Sequence, residues 1–277
     1  MYKNKMKFII WCWDYHKFVG GCRIMHKLCH LLNEMGEEAY VTAKVTNPEW
    51  NTPIYDGSGF DKENTIVIYP ECFNDNFLDA KYVVRWLLFH QICEYNPSDY
   101  IFKLHGCYRS ANDKYDGLLE VFDYDLSSWK NLEIPRTNEM VAFRKGIWKK
   151  DSLKLNFENY LIYDDLEKLE DEDLLCRVMN SCKNFVCLDE SSFIPIQSVL
   201  CGCATMVVPF PGLNAKQYRS IFPAMQYGVA YGDTPYEINR AKLTKHLVRD
   251  HITKINDSSI DSARKFVEFW KNELNES

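Results

Sequence analysis

The chain has 277 residues, of which 46% are hydrophobic and 26% are charged. This balance is typical of a folded globular protein and excludes a disordered, collagen-like or coiled-coil chain. The net charge is −6, with 33 lysine and arginine residues against 39 acids, so attachment to nucleic acid through the overall charge is excluded too. At this length we expect one large domain or two small ones.

The sequence predicts neither a membrane span nor an export signal. No stretch approaches roughly 20 consecutive apolar residues. The basic start, residues 1–7, is followed by an apolar run that breaks at Asp14 without a small-residue cleavage site. The 11 cysteines are odd in number and lie mostly within apolar runs, which favours free thiols over disulfides. We therefore expect a cytoplasmic protein, in the host cytoplasm if the chain is viral.

The first third of the chain has the pattern of an α/β sheet. Residues 7–13 form a short apolar run rich in strand formers, which predicts a buried strand. A turn over 14–21 follows, and apolar residues then recur at helical spacing until Gly36, a typical helix stop. Residues 39–45 predict a second strand. Strand, glycine turn, helix and strand together indicate the opening βαβ unit of a parallel sheet.

The remaining elements continue this alternation. Further strands are predicted over 65–69, 82–88, 100–104, 140–143, 185–188 and 204–208, although 82–90 also fits a helix. A helix is predicted from Pro195 to Gly202, and a closing amphipathic helix over 258–274. The polar stretch 127–139 marks the domain boundary, which gives an N-terminal domain 1–133 and a C-terminal domain 134–277. The expected fold is α/β, with two Rossmann-like domains facing a cleft and ligands bound at the carboxyl ends of the strands.

Four segments resemble the GT-B glycosyltransferases, in particular a short group found in polysaccharide loci and large DNA viruses. They are Gly20-Gly21 with the helix over 25–33, Tyr69-Pro70-Glu71, Arg144-Lys145-Gly146, and residues 189–208. Many members carry two glutamates eight positions apart, the second of which opens a helix that ends in Cys-Gly before a hydrophobic strand. Here Asp189 and Gln197 occupy those places, and Cys201-Gly202 ends the helix.

The resemblance implies a nucleotide-sugar donor, with UDP-sugars favoured and UDP-xylose among them, and a glycan acceptor. The donor-binding residues that it implies are Gly20, Gly21, Arg144, Lys145, Asp189, Ser191, Ser192 and Gln197. Physical chemistry agrees, because two cationic side chains and the N–H groups of a helix beginning near Ser192 suit a diphosphate. Gln197 can bond ribose hydroxyls, and glycine lets the backbone approach the donor closely. None of these roles needs a metal ion or another cofactor.

The transfer requires a base that takes the proton of the acceptor hydroxyl. Inverting enzymes of this fold use an acid or a histidine just past the first strand, which makes Asp14 the first choice and His16 the second. Glu71 is the third candidate, as base or as acceptor contact. Inversion is favoured, with retention as the alternative outcome.

Each assignment has a structural alternative. Asp14 can simply cap a turn, Glu71 can pair with Arg85, and His26 with His30 has zinc-compatible spacing but no third ligand. Asp123-Tyr124-Asp125 suggests a manganese-dependent GT-A transferase. A catalytically inactive carbohydrate-binding or assembly protein of the same fold is the non-enzyme alternative, because both motif glutamates are replaced. The oligomeric state stays open.

Overall fold

The computed structural model describes residues 6–106, 108–153 and 156–276. Residues 1–5, which bear on the predicted lack of an export signal, lie outside this range. The chain divides into two compact units, each built on one sheet. The first unit comprises the chain up to Asp123 together with the residues from Asn256 onward, and the second comprises Tyr124–Ile255.

The first sheet is parallel throughout, in the order β2-β1-β3-β4-β5-β6. Its strands are β1 (Lys7–Ile10), β2 (Glu38–Val41), β3 (Thr65–Pro70), β4 (Tyr82–Leu87), β5 (Tyr100–Lys103) and β6 (Gly117–Leu118). The second sheet is also parallel, in the order β11-β10-β9-β7-β8. Its strands are β7 (Asn138–Ala142), β8 (Tyr160–Ile162), β9 (Cys182–Cys187), β10 (Ala204–Val207) and β11 (Val229–Tyr231).

The α-helices are α1 (Gly20–Glu34), α2 (Tyr163–Glu167), α3 (Glu172–Asn180), α4 (Ile194–Leu200), α5 (Ala215–Ile221), α6 (Pro235–Thr244) and α7 (Val248–Glu276). The α/β class, the two parallel sheets and the closing helix are therefore confirmed. The segment 82–87, for which the sequence also allowed a helix, is a strand. All six of its residues are buried, as expected for a strand whose sheet is covered on both faces. No helix in the described part of the chain has the length and apolar character of a bilayer span.

The division of the chain differs from the predicted 1–133 and 134–277. Helix α7 belongs to the first unit from Asn256 onward, where Phe266 packs on Phe102 with ring centroids 4.8 Å apart and Trp270 packs on Tyr100 with ring centroids 4.7 Å apart. The polar stretch after Asp123 belongs to the second unit. There, the side-chain amide of Asn180 donates to the carbonyl of Lys130 at 2.9 Å and accepts the N–H of Leu132 at 2.8 Å. Long-range contacts of this kind leave no local sequence signal.

Candidate functional site

Two of the predicted motifs meet at the carboxyl edge of the second sheet. Arg144-Lys145-Gly146 follows β7, and Asp189 follows β9, the strand that pairs with β7. Gly146 packs directly against the backbone of Leu188 and Asp189. A Cβ at position 146 would lie 2.0 Å from the carbonyl oxygen of Leu188 and 2.8 Å from the nitrogen of Asp189. Only glycine allows this approach, so the cationic motif and the Asp189 turn form one surface.

The backbone at Arg144 is fixed by a neighbouring carboxylate. Arg144 has a positive φ of 47°, an unusual conformation for a residue other than glycine. The carboxylate of Asp164 accepts the N–H of Phe143 at 2.8 Å and that of Arg144 at 3.0 Å. The guanidinium of Arg144 forms an ion pair with Glu167. Burial raises the pKa of Glu167, and Arg144 opposes that rise.

Helix α2 connects Arg144 to Gln197. Tyr163, at the start of α2, is buried, and its hydroxyl donates to Oε1 of Gln197 at 3.4 Å. Glu167, at the end of the same helix, holds Arg144. Arg144 and Gln197, two of the predicted donor-binding residues, therefore contact the same five-residue helix, which the sequence did not predict.

A buried lysine completes the cationic edge. Lys149 is 2% exposed, and its ammonium donates to the carbonyls of Leu188 at 2.8 Å and Val208 at 3.2 Å and to Oε2 of Glu190 at 2.5 Å. It thereby joins the carboxyl ends of β9 and β10 and brings a positive charge to the loops that follow them. Lys145 lies one residue from Gly146 and is exposed.

The start of α4 differs from the prediction. The helix begins at Ile194 rather than near Ser192, and it has seven residues. Ser192 Oγ accepts the N–H of Ile194 at 3.2 Å. Asp189 is 5% exposed, and its Oδ1 accepts the N–H and the hydroxyl of Ser191 at 3.0 and 2.8 Å. Asp189, Ser191 and Ser192 thus build the turn, and so short a helix adds little dipole.

In the first unit, Asp14 and His16 lie in the turn that follows β1. Oδ1 of Asp14 accepts the N–H groups of Lys44 and Val45 at 2.6 and 3.0 Å, and these bonds lower the pKa of Asp14. Nδ1 of His16 accepts the N–H of Phe18 at 3.3 Å. Asp14 therefore ties the turn after β1 to the loop after β2 rather than capping its own turn, and its carboxyl group stays exposed and ionised at neutral pH.

Glu71 follows β3, the neighbour of β1 in the sheet. Its Oε2 accepts the N–H of Leu88 at 3.1 Å. The alternative pairing of Glu71 with Arg85 is wrong, because the buried guanidinium of Arg85 pairs with Asp99 at 2.7 Å. Asp14, His16 and Glu71 thus belong to the loops after two adjacent strands.

Gly20 and Gly21 do not lie in a turn, since they are the first two residues of α1. A Cβ on Gly21 would meet Leu88 Cδ1 at 3.6 Å, which is an ordinary contact. The protein itself therefore does not require glycine at position 21 for space. At Gly146, by contrast, the packing requires glycine, because an added Cβ would meet backbone atoms.

The carboxylates proposed for manganese have protein partners. Asp123 pairs with Arg23, whose Nη2 lies 2.5 Å from Oδ2. Oδ1 of Asp125 accepts the N–H and the hydroxyl of Ser127, both at 2.7 Å. Within the described ranges, no group of three or more His, Cys, Asp or Glu side chains is placed to hold a metal ion.

Sequence reasoning missed Lys149, Tyr163 and Glu167. Lys149 stands in a run with Lys150, and nothing local distinguishes the buried lysine from the exposed one. Tyr163 and Glu167 lie on a helix too short for a periodic signal. The acidic residues at 164 and 165, which favour a helix start, are the one available hint.

Comparison with known proteins gives a likeness of overall layout. No protein-family model and no curated protein matches the chain. A glycosyltransferase from Rickettsia africae is similar at 10% identity and a TM-score of 0.49, with 99% of this chain and 100% of that chain covered. WaaG, a glycosyltransferase involved in lipopolysaccharide biosynthesis, is similar at 11% identity and a TM-score of 0.43, with 94% and 95% covered. An alpha-glucosyltransferase in complex with UDP and a 13-mer DNA is similar at 10% identity and a TM-score of 0.44, with 95% of each chain covered. Likenesses of this size assign neither a substrate nor a reaction to this chain.

Proposed function

We propose that the chain is a glycosyltransferase that moves a sugar from a nucleotide-diphosphate donor, with UDP-sugars favoured, to a hydroxyl group of a glycan acceptor. The observation that carries the proposal is the cationic edge of the second sheet. Arg144, Lys145 and Lys149 lie there around the Gly146 contact, and α2 ties Arg144 to Gln197. A diphosphate needs this concentration of charge, and a ribose needs a hydrogen-bonding side chain beside it.

Binding would exchange the partners of the two basic groups. Arg144 is held by Glu167 and Lys149 by Glu190, and both glutamates are partly accessible, at 15% and 23% side-chain exposure. A diphosphate oxygen can replace the Glu167 carboxylate on the guanidinium of Arg144, which pairs with either anion through its fork, and the Glu190 carboxylate on the ammonium of Lys149. We propose that these protein cations suffice for the donor and that no metal ion is required.

For the transfer itself, Asp14 is our first choice of base, ahead of His16 and Glu71. The acceptor oxygen attacks the anomeric carbon, the bond from that carbon to the diphosphate breaks, and the diphosphate leaves with the electron pair. The hydroxyl proton passes to the carboxylate of Asp14. Because hydrogen bonds lower the pKa of Asp14, it accepts this proton only late, when the hydroxyl is already losing it. A single displacement of this kind inverts the anomeric configuration.

The direct test is nucleotide release from a panel of donors, including UDP-xylose, UDP-glucose, UDP-galactose and a GDP-sugar, with simple glycosides as acceptors. Arg144→Ala should weaken UDP binding by about tenfold to a hundredfold. Arg177→Ala, which removes an exposed arginine elsewhere in the second unit, is the matched control. Turnover that is unchanged in EDTA supports metal independence, whereas its loss and recovery with Mn²⁺ would contradict it.

A second candidate is a carbohydrate-binding protein without catalysis. The observation that favours it is the structural use of Asp14, whose carboxylate holds the backbone of the loop after β2, together with the replacement of both motif glutamates by Asp189 and Gln197. Asp14→Asn separates the two functions. Loss of turnover with unchanged UDP affinity identifies Asp14 as the base. UDP binding without release from any donor would favour the non-catalytic protein.

A further inference from the structure

The first unit has a cluster of aromatic rings at the carboxyl edge of its sheet. Trp11 and Trp13 follow β1, and Phe73 and Phe77 lie in the loop after β3. Trp11 and Phe77 stack with centroids 4.8 Å apart and an interplanar angle of 18°, and Trp13 contacts Phe73 at 5.4 Å. We refer to these four side chains as the aromatic ledge.

Half of the ledge faces solvent. Trp13 is 49% exposed and Phe77 is 50% exposed, whereas Trp11 is partly covered and packs on the buried ring of Tyr69 at 5.7 Å. The exposed rings therefore rest on a second layer that belongs to the core. Exposed aromatic surface with firm support is typical of a binding surface rather than of a chance apolar residue.

The loop that carries Phe73 and Phe77 is held by a buried charge. The guanidinium of Arg85, 1% exposed, donates to the carbonyls of Phe73 at 2.9 Å, Asn74 at 3.1 Å and Asp75 at 3.0 Å. Its Nε donates to the buried carboxylate of Asp99 at 2.7 Å. Burying an ion pair is an expensive way to stabilise a fold. Here the pair fixes three successive carbonyls, which preorganises the loop for a ligand.

Exposed polar groups flank the rings. Asn74 and Asp75 lie between the two phenylalanines and are exposed. An apolar partner would desolvate these groups without pairing them, which is unfavourable. A pyranose ring satisfies both features, because its C–H face meets the negative face of an aromatic ring and its hydroxyls donate to carboxylates.

We infer that the aromatic ledge is the acceptor subsite, which binds a pyranose ring of the glycan by stacking on Trp13 and Phe77 with its hydroxyls toward Asn74 and Asp75. That the bound sugar is an acceptor rests on the proposed function. That the ledge binds a sugar at all rests on the ledge alone. It places the acceptor at the loops after β1 and β3, which also carry the candidate bases Asp14 and Glu71.

The test follows the indole N–H signal of Trp13, assigned by its loss in Trp13→Phe, while methyl pyranosides, xylobiose and cellobiose are titrated into the full-length protein. We expect the signal to shift, and we expect sugar affinity to fall about tenfold in Trp13→Ala and in Phe77→Ala. Trp13→Phe keeps a stacking ring and should stay within about threefold. Tyr236→Ala is the control, since it removes an aromatic ring that is 73% exposed on α6 of the second unit.

UDP affinity, measured on the same samples, separates this inference from the proposed function. Unchanged UDP binding in all four variants, with weakened sugar binding in the two ledge alanine variants, supports the inference. Sugar transfer with full acceptor affinity in both alanine variants would overturn the ledge as acceptor subsite and leave the proposed function standing. Sugar binding without any UDP binding would overturn the proposed function and leave the ledge standing as a sugar-binding surface. A wild-type dimer that Trp13→Ala dissociates, with no response to sugars, would show that the ledge contacts a second copy.

Discussion

Gly146→Ala is the sharpest test of the cationic edge, because it adds one methyl group between two backbone segments. The new Cβ would lie 2.0 Å from the carbonyl oxygen of Leu188, about 1 Å closer than any ordinary contact of this type. Neither segment can yield easily. The N–H of Gly146 donates to Phe143 at 2.9 Å, and that of Leu188 donates to Ala142 at 2.9 Å. We expect a loss of about 3 kcal/mol in the free energy of unfolding, the upper end of the range for overpacking.

Urea unfolding measures the loss in the free energy of unfolding. UDP titration, at a temperature where the variant is folded, measures the affinity of the site for UDP. A loss of this size lowers the melting temperature by on the order of 10 °C. Separating the segment at Gly146 from the Asp189 turn should also weaken UDP by at least about tenfold, since phosphate contacts depend on ångström-scale placement. Lys145→Ala is the matched control for the stability measurement alone, because it removes the neighbouring exposed side chain without added volume and should change stability by less than about 0.5 kcal/mol.

Two results would refute this reasoning at different points. Stability within about 0.5 kcal/mol of the parent would mean that the close contact of Gly146 with Leu188 does not exist in solution. A clear loss of stability with unchanged UDP affinity would keep the contact and remove the phosphate site from this edge.

Three further predictions concern single residues elsewhere in the fold. Gly21→Ala should raise stability by up to about 1 kcal/mol through helix propensity, and unchanged UDP affinity in this variant would remove Gly21 from the donor site. Burial lowers the pKa of His105 to about 4 from its ordinary 6.5, so only the unfolded state binds the proton between these values. Stability should therefore fall by about 3 kcal/mol as the pH drops from 6.5 to 4, and a His105→Asn variant that keeps the full slope in urea titrations would disprove the assignment. Burial raises the pKa of the surface thiol Cys72 to about 11, so its iodoacetamide labelling, followed by peptide mass spectrometry, should accelerate about tenfold per pH unit from 7 to 10; a flat profile would contradict this.

The sequence predicted the sheets better than the site. Strands β3 and β4 are buried along their whole length, so they appear as largely apolar runs between turns, interrupted in β4 by the buried Arg85. Gly36 and Gly202, with φ of 85° and 96°, end helices where their position indicated. These elements follow from local physics, because burial on both faces or a left-handed stop leaves a mark on adjacent residues.

The unpredicted parts depend on contacts between distant residues. The three-residue strand β8 and the five-residue helix α2 are too short to show a period, yet α2 supplies both side chains that connect Arg144 with Gln197. The partner of Arg85 was equally hidden. The sequence offered Glu71, in the loop after the neighbouring strand, as the acid to pair with Arg85. In the fold, the guanidinium of Arg85 pairs with Asp99 instead.

The first unit is discontinuous along the chain, and this has a consequence for synthesis on the ribosome. Its strands are translated before the second unit, but the side chains that cover one face of their sheet, among them Phe266 and Trp270, are translated after it. The second unit is a single uninterrupted segment and has its whole core as soon as Ile255 emerges. We therefore expect the order of folding to reverse the order of translation, with the nascent N-terminal sheet left to chaperones until the final helix arrives.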